Sequence, residues 1–290
     1  MNPEQLVIFD YSGTLSLASV LFGRPDNLMG RLKESGLFDL GVKSLDFFWR
    51  EIVAPTWEEG STTGIGYAGM IEKRLKERFP DSNRDDRETR SAANRFVQSY
   101  LDYSAPDNRW EPLLRHLAAR GDTAVVVATD HYAEATGAIL RFLGELGLPS
   151  AGAPEALRDP GRQDRLVVAN SADLGYPKGD RLFWETLKKG LHLEGVRRVL
   201  WIDDFGFNED TGDIYGAREK VEARKERTAA VLKEVFPGEI RTLPFLVTRG
   251  EKGPGRPEDR ETLYGALIGR TVQAVEAWAA EREDGGRVAS

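Results

Sequence analysis

Residues 6–16 have the sequence LVIFDYSGTLS. Its first four residues are apolar, Asp10 follows them, and Gly13 stands in the turn that comes next. A short continuous apolar run of this kind is typical of a strand that is buried on both faces. In an open parallel sheet, ligands bind at the carboxyl ends of the strands. The stretch therefore predicts a buried strand that places the Asp10 carboxylate at a binding edge.

Composition limits the function classes. A chain of 290 residues is long enough for one large domain or two modest ones. Its net charge of −7 argues against wholesale binding of nucleic acid. Cysteine is absent, which excludes disulfides, thiolate metal sites and a cysteine nucleophile. The histidines, at positions 116, 131 and 192, are too scattered to predict a histidine metal cluster.

Targeting and membrane signals are also missing from the sequence. The N-terminus carries no basic stretch followed by an apolar run, which is the pattern of a signal peptide. No apolar segment approaches the roughly 20 residues that span a bilayer. We therefore expect a soluble, cytoplasmic protein without a membrane partner.

Three more short apolar runs predict strands, and helical patterns alternate with them. The runs are Ala124–Ala128, Val199–Ile202 and Pro244–Val247. The helical patterns are Trp110–Arg120, Ala133–Leu146 and Lys178–Lys189. Strands that alternate with helices favour a doubly wound parallel sheet. The predicted fold class is therefore α/β, with a Rossmann-like core.

The segment from Leu17 to Ala105 has a different character. It contains four helical patterns and no convincing strand: Asp26–Ser35, Leu45–Trp57, Ala68–Phe79 and Arg84–Tyr103. This predicts a helical cap domain, residues 17–105, inserted directly after the first strand. The remaining residues, 1–16 and 106–290, would form one discontinuous core domain.

Polar residues stand where the predicted strands end. Asp10 follows the first run, Thr129 the second, and Asp203 and Asp204 the third, while Lys178 precedes the third run in a loop. In a parallel sheet all these groups would converge on one edge. Carboxylates bind Mg2+, which prefers oxygen ligands. A lysine and a hydroxyl can hold phosphate oxygens while a free carboxylate attacks phosphorus, so the set predicts phosphoryl transfer.

These motifs resemble those of the haloacid dehalogenase (HAD) superfamily. The resemblance covers residues 6–15 and about 110–210, in the order Asp-x-x-Gly-Thr-Leu, Thr, Lys and Asp-Asp. It implies that the nucleophile is Asp10 and that Mg2+ binds to Asp10 and to the backbone carbonyl of Ser12. It also implies phosphoryl binding by Thr129 and Lys178, and a metal site completed by Asp203 and Asp204. The helical insertion would be the cap of the family.

Ser12 departs from the family's phosphatase pattern, which has an acid/base aspartate there. A serine hydroxyl cannot do this work efficiently, and loss of acid/base help typically costs about 100- to 10,000-fold in rate. Asp130, next to Thr129 and expected at the substrate, or a cap carboxylate could replace it. Related proteins with no acid here include dehalogenases and transport ATPases. The Asp203–Asp204 pair argues against the first, and the lack of membrane segments against the second.

The function that we expect is Mg2+-dependent hydrolysis of a small phosphorylated metabolite through an aspartyl phosphate on Asp10. One alternative is a phosphonatase-like carbon–phosphorus hydrolase, which would need an amine from the cap. The candidate amines are Lys33, Lys43, Lys73 and Lys76. Another alternative is a catalytically weak protein that binds a phosphorylated ligand. Substrate identity and oligomeric state stay open at this point.

Single residues also permit simpler interpretations. Asp10 could cap the turn that follows it, and Thr129 could be the N-cap of a helix. Lys178 alone would more often be a surface lysine. His131, two residues after Thr129, could face the substrate, but a solvated turn histidine is the preferred interpretation.

Overall fold

A six-stranded parallel sheet forms the centre of the molecule. The computed structural model describes residues 3–80, 85–162, 164–209, 218–247 and 257–281, without the side chains of residues 218 and 257–261. Neighbouring strands pair in parallel in the order β3-β4-β2-β1-β5-β6. This confirms the predicted fold class. The strands are β1 (Gln5–Phe9), β2 (Thr123–Thr129), β3 (Ser150–Gly152), β4 (Leu166–Asn170), β5 (Arg198–Asp203) and β6 (Glu239–Pro244).

The described residues of 17–105, which follow β1 in the chain, contain six α-helices. A buried apolar cluster that includes Phe22, Phe48 and Phe96 holds them together, and Tyr132 from the segment after β2 joins it. The segment Phe48–Val53 is π-helical. That the segment is a separate cap domain with the predicted boundaries stays a prediction. The helices are α1 (Leu17–Phe22), α2 (Pro25–Ser35), α3 (Leu45–Phe47), α4 (Ala54–Gly60), α5 (Tyr67–Arg78) and α6 (Asp86–Tyr103).

The remaining helices cover both faces of the sheet. They are α7 (Glu111–Ala118), α8 (Glu134–Glu145), α9 (Ala153–Ala156), α10 (Ser171–Leu174), α11 (Arg181–Gly190), α12 (Arg218–Val235) and α13 (Pro257–Ala280). Val7 and Phe9 pack in one apolar cluster with α7, α8 and α13, whereas Leu6 and Ile8 pack in another with α11 and α12. This division follows from the two-residue period of a strand. Among the described helices, none has the length and apolarity needed to cross a membrane.

The sheet differs from the sequence prediction in three strands. Strands β3 and β4 were not predicted. The predicted strand Pro244–Val247 is wrong, because β6 ends at Pro244 and Phe245 lies beyond it. The reason is that β6 is an edge strand whose residues are exposed or half-buried, so it carries no apolar run. The run detected in the sequence instead includes Phe245, which is buried against Trp110.

The strand order fixes where a ligand site would form. From β1 the chain moves to β2 on one side, and β5 and β6 lie on the other side. The direction of winding therefore reverses between β1 and β5. Crevices at such switch points, outside the carboxyl ends of the strands, are the usual ligand sites of open α/β sheets.

Candidate active site

Three buried carboxylates meet at this switch point. Asp10 follows β1 directly, Asp203 is the last residue of β5, and Asp204 follows it. Each offers a carboxylate oxygen, and these oxygens all lie within 4.8 Å of one another. Three clustered carboxylates form an oxygen-rich set of the kind that hard divalent cations prefer. The predicted metal-binding aspartates thus come together in a group that could hold a metal ion.

Lys178 lies between two of these carboxylates. Its Nζ atom is 2.5 Å from Asp10 Oδ1 and 3.0 Å from Asp203 Oδ2. Its backbone N–H donates to Asp130 Oδ1 at 2.8 Å, and its carbonyl accepts from Trp184 Nε1 at 2.7 Å. The residue is buried, so the simpler interpretation of a surface lysine does not hold. The loop before α11 is therefore fixed so that an ammonium group reaches the carboxylate cluster.

The cluster carries more negative than positive charge. Burial raises the pKa of Asp10 well above its usual value, and Asp203 raises it further while Lys178 opposes the shift. Burial and the neighbouring Asp203 raise the pKa of Asp204 to about 7. Both shifts have the same cause, since one ammonium cannot balance three carboxylates in a place shielded from water. A bound cation would reverse these shifts.

The turn after β1 is shaped to hold Asp204. Gly13 has a φ of +80°, and a Cβ atom at this position would lie 2.5 Å from Asp204 Oδ2. Only glycine satisfies both the left-handed backbone and this close approach. Thr14 then accepts a hydrogen bond at its Oγ1 from the Asp204 backbone N–H, at 3.0 Å. The Gly-Thr pair of the opening stretch thus joins the end of β1 to the end of β5.

Asn208 supports the site and was not predicted from the sequence. Its backbone N–H donates to Asp204 Oδ2 at 3.0 Å, and its side-chain amide donates to the carbonyls of Gly13 and Phe245 at 2.8 and 2.9 Å. Its Oδ1 accepts from the Val247 N–H at 2.8 Å. One side chain therefore connects the segments that follow β1, β5 and β6. The sequence feature that could have indicated this role is an asparagine four residues after the Asp-Asp pair.

Trp201 also acts on the cluster and was missed. Its indole Nε1 donates to Asp203 Oδ2 at 2.9 Å, and the Phe205 N–H donates to Asp203 Oδ1 at 2.6 Å. With Lys178, these donors fix the orientation of the Asp203 carboxylate. The sequence feature that could have indicated this contact is a tryptophan two residues before the strand-end aspartate, which places both side chains on the same face of the strand.

The residues after β2 line the same site. Thr129 ends β2, and it lines the cavity together with Asp130 and His131. The N-cap of α8 is Ala133, so Thr129 does not cap that helix. Burial raises the pKa of Asp130, against the opposing charge of Lys178.

His131 is not the solvated turn histidine of the sequence interpretation. It is buried, and burial lowers its pKa to about 4. Its Nδ1 accepts a hydrogen bond from the Tyr132 N–H at 2.8 Å, so the neutral ring carries its proton on Nε2. That nitrogen lies 2.7 Å from the Tyr100 hydroxyl of α6. The histidine is held between the sheet and the inserted helices.

The carboxylate cluster forms part of the wall of a cavity of about 590 Å³. Ser12 lines this cavity and is half-buried. The role of its backbone carbonyl as a metal ligand stays a prediction. The opposite wall comes from the inserted helices and includes Phe22, Phe48, Trp49 and Trp57.

Four lysines of the insertion were candidate amines for carbon–phosphorus cleavage, and none of them is among the described residues that line the cavity. Lys73 pairs with Glu59 at 2.7 Å, and Lys76 pairs with Glu72 at 2.9 Å. Lys33 and Lys43 lie near the Phe38 ring, and Lys43 also approaches Asp39. The phosphonatase alternative therefore receives no support from these residues.

Comparisons with known proteins give a likeness to solved structures and none to sequence families. No protein-family model matches the chain, and no curated protein matches its sequence. Among solved structures, it is similar to the crystal structure of a 2-haloacid dehalogenase from Pseudomonas syringae pv. Tomato DC3000. The identity is 17%, the alignment covers 93% of this chain and 100% of the other, and the TM-score is 0.47. At this degree of likeness the name of that protein carries no statement about the activity of this chain.

Proposed function

We propose that this chain is a Mg2+-dependent phosphohydrolase of the HAD type, acting on a small phosphorylated metabolite. The observation that supports it best is the convergence of Asp10, Asp203 and Asp204 within 4.8 Å, with the Lys178 ammonium bonded to the first two. The sequence motifs that resemble the superfamily supply these same residues. Residues 17–105 act as its cap.

In the proposed reaction, Asp10 attacks phosphorus and forms an aspartyl phosphate, and water then attacks this phosphorus and regenerates the carboxylate. Lys178 and the Thr129 hydroxyl hold phosphoryl oxygens, and Asp130 keeps the Lys178 backbone in place through its 2.8 Å hydrogen bond. Asp203 and Asp204 would hold Mg2+ together with Asp10 and the Ser12 carbonyl. When bound, Mg2+ supplies positive charge that stabilises the ionised carboxylates and the phosphoryl oxygens.

Turnover of a panel of phosphate esters, with Mg2+ and with chelator, tests this proposal. We expect Mg2+-dependent release of phosphate by the wild type and none by Asp10→Asn, a nearly isosteric change that removes the attacking oxygen anion. Asp173→Asn is the matched control, because Asp173 is half-buried and accepts a hydrogen bond from Thr136 at 2.7 Å, outside the site. A wild type that binds these esters but releases no phosphate would favour the phospho-ligand binding alternative instead.

A further inference from the structure

The two walls of the cavity differ in chemistry. The sheet side carries Asp10, Asp130, Asp203, Asp204 and Lys178, together with cationic residues of α12 such as Arg224. Arg224 is close enough to Asp130 to lower the pKa of its carboxyl against the effect of burial. On the other side, none of the lining residues that the described part of the insertion contributes carries a charge. The cavity is thus polar at one end and apolar at the other.

Aromatic rings dominate the uncharged wall. Trp49, Trp57 and Tyr100 line the cavity and are half-buried, and Phe22 and Phe48 lie beside them. The Trp57 ring meets the Tyr132 ring edge-on with centroids 5.4 Å apart, so its position is set by packing. Rings held in this way favour contact with another ring. A polyhydroxylated body in contact with these ring faces would lose hydrogen bonds to water that the faces do not replace.

Ser12 gives an independent argument about the leaving group. Under the proposed function, Ser12 takes the position of the acid that would protonate the departing oxygen, and a serine hydroxyl has no such acidity near neutral pH. An alkoxide is nearly as basic as hydroxide, whereas a phenolate is far less basic, since its conjugate acid has a pKa of about 10. A phenolate therefore leaves without a proton far more readily than an alkoxide.

The uncharged aromatic wall and Ser12 both favour a substrate in which an aromatic ring is joined to phosphorus through oxygen. We propose that this site hydrolyses aryl phosphate monoesters, with the ring against the uncharged wall and the phosphoryl group at the carboxylate cluster. This inference rests on the proposed phosphohydrolase function and narrows its substrate class. It is carried by the uncharged aromatic wall together with Ser12.

The proposed reaction balances without an acid from the protein. Asp10 forms a bond to phosphorus while the bond from phosphorus to the aryl oxygen breaks, and the electron pair leaves on the phenolate. The phenolate takes its proton from solvent. Water then adds to phosphorus as the bond to Asp10 breaks, and the products are a phenol, inorganic phosphate and the free Asp10 carboxylate.

Four substrates separate ring recognition from leaving-group chemistry. They are 2-naphthyl phosphate, cyclohexylmethyl phosphate, acetyl phosphate and glycerol 3-phosphate, assayed with Mg2+. The first two are both apolar but differ in leaving group, whereas acetyl phosphate has a good leaving group and no ring. We expect kcat/KM for naphthyl phosphate to exceed that for cyclohexylmethyl phosphate by about 100- to 10,000-fold, the usual range for acid/base help. Glycerol 3-phosphate is expected to be the poorest substrate.

Variants of the wall test ring recognition itself. Trp57→Leu is expected to lower the ratio of kcat/KM for naphthyl phosphate to that for acetyl phosphate by roughly three- to tenfold. Trp49→Leu provides a second variant in case the first does not fold. Tyr103→Leu is the matched control, since Tyr103 is an exposed aromatic residue of the insertion outside the described lining, and its ratio should equal that of the wild type.

The outcomes distinguish this inference from the function on which it rests. If Asp10-dependent hydrolysis occurs but cyclohexylmethyl phosphate is cleaved as fast as naphthyl phosphate, the aryl inference is wrong and the phosphohydrolase proposal stands. The same holds if neither folded tryptophan variant changes the ratio. If the wild type cleaves none of the four compounds, the aryl inference is wrong, and turnover of the wider panel of phosphate esters decides the phosphohydrolase proposal separately.

Discussion

Replacing Asp204 by asparagine tests the charge balance of the site. The Asp204 carboxylate is buried, and its ligand oxygen lies within 4.8 Å of those of Asp10 and Asp203. At an effective dielectric constant of about 20, two like charges at that distance repel by about 3.5 kcal/mol. Asparagine keeps an oxygen that can accept the hydrogen bond from the Asn208 N–H. We therefore expect Asp204→Asn to stabilise the metal-free protein by about 1–3 kcal/mol, part of the repulsion being relieved already by partial protonation.

Mg2+ should stabilise the wild type more than it stabilises Asp204→Asn. At a concentration one hundred times its Kd, a ligand stabilises the folded state by about 2.7 kcal/mol. For a protein of this size this corresponds to a rise in Tm of roughly 4–5 °C. Asp204→Asn should lose most of this rise, because it removes one of three carboxylate ligands. Without metal, Asp204→Asn should therefore be more stable than the wild type. Added Mg2+ should raise the stability of the variant less than that of the wild type.

Thermal unfolding with saturating Mg2+ and with EDTA measures both effects. A pH of about 8 keeps most of the Asp204 population ionised, since its pKa in the folded protein is about 7. Asp173→Asn serves as control and should respond to Mg2+ as the wild type does. Equal melting temperatures of the wild type with Mg2+ and with EDTA would contradict the metal-site assignment, as would an unchanged Mg2+ effect in Asp204→Asn.

Three more predictions follow from single contacts. Gly13→Ala should lower the free energy of unfolding in urea by about 1–2 kcal/mol, because alanine is strained at a φ of +80° and its Cβ would displace Asp204. The pKa of His131 falls from 6.5 to about 4 on folding. The neutral buried ring therefore contributes its full stability above pH 6.5, and this contribution is lost as the pH falls to 4. The loss in the free energy of unfolding is up to about 3 kcal/mol. His131→Gln should therefore show a flatter pH profile of unfolding in this window, and parallel profiles would contradict the assignment. Glu134→Ala should destabilise the protein by about 1 kcal/mol in the same assay, because Glu134 accepts from two backbone N–H groups in the first turn of α5 at 2.7 and 3.2 Å; no change would mean that this cap is immaterial.

The centre of the fold was predictable from the sequence because its strands are buried on both faces. Strands β1, β2 and β5 occupy the middle of the sheet and carry continuous apolar runs. Strand β4 is also fully buried and carries the run LVVA, so the pattern was present although it was not predicted. Strand β3 is only three residues long, Ser-Ala-Gly, and has no pattern to detect. The residues of edge strand β6 are exposed or half-buried and form no apolar run, whereas the apolar segment after it has the pattern of a strand.

The site was predictable to the extent that strand ends converge. Asp10, Lys178, Asp203 and Asp204 lie together because each stands at or near the carboxyl end of a parallel strand. Contacts that depend on loop conformation could not be foreseen in this way. The hydrogen bonds of Asn208 to three segments are an example, as is the burial of His131 beneath helices of the insertion.

The most direct test of the account is whether Asp10 accepts a phosphoryl group. Fluoroberyllate mimics a phosphoryl group on a carboxylate, and fluorine NMR detects the bound form. If Asp10 is the nucleophile, bound fluoroberyllate gives signals with Mg2+ for the wild type and for Asp173→Asn. It gives none for Asp10→Asn. Equal signals from the wild type and a folded Asp10→Asn would contradict the assignment of Asp10 as the nucleophile.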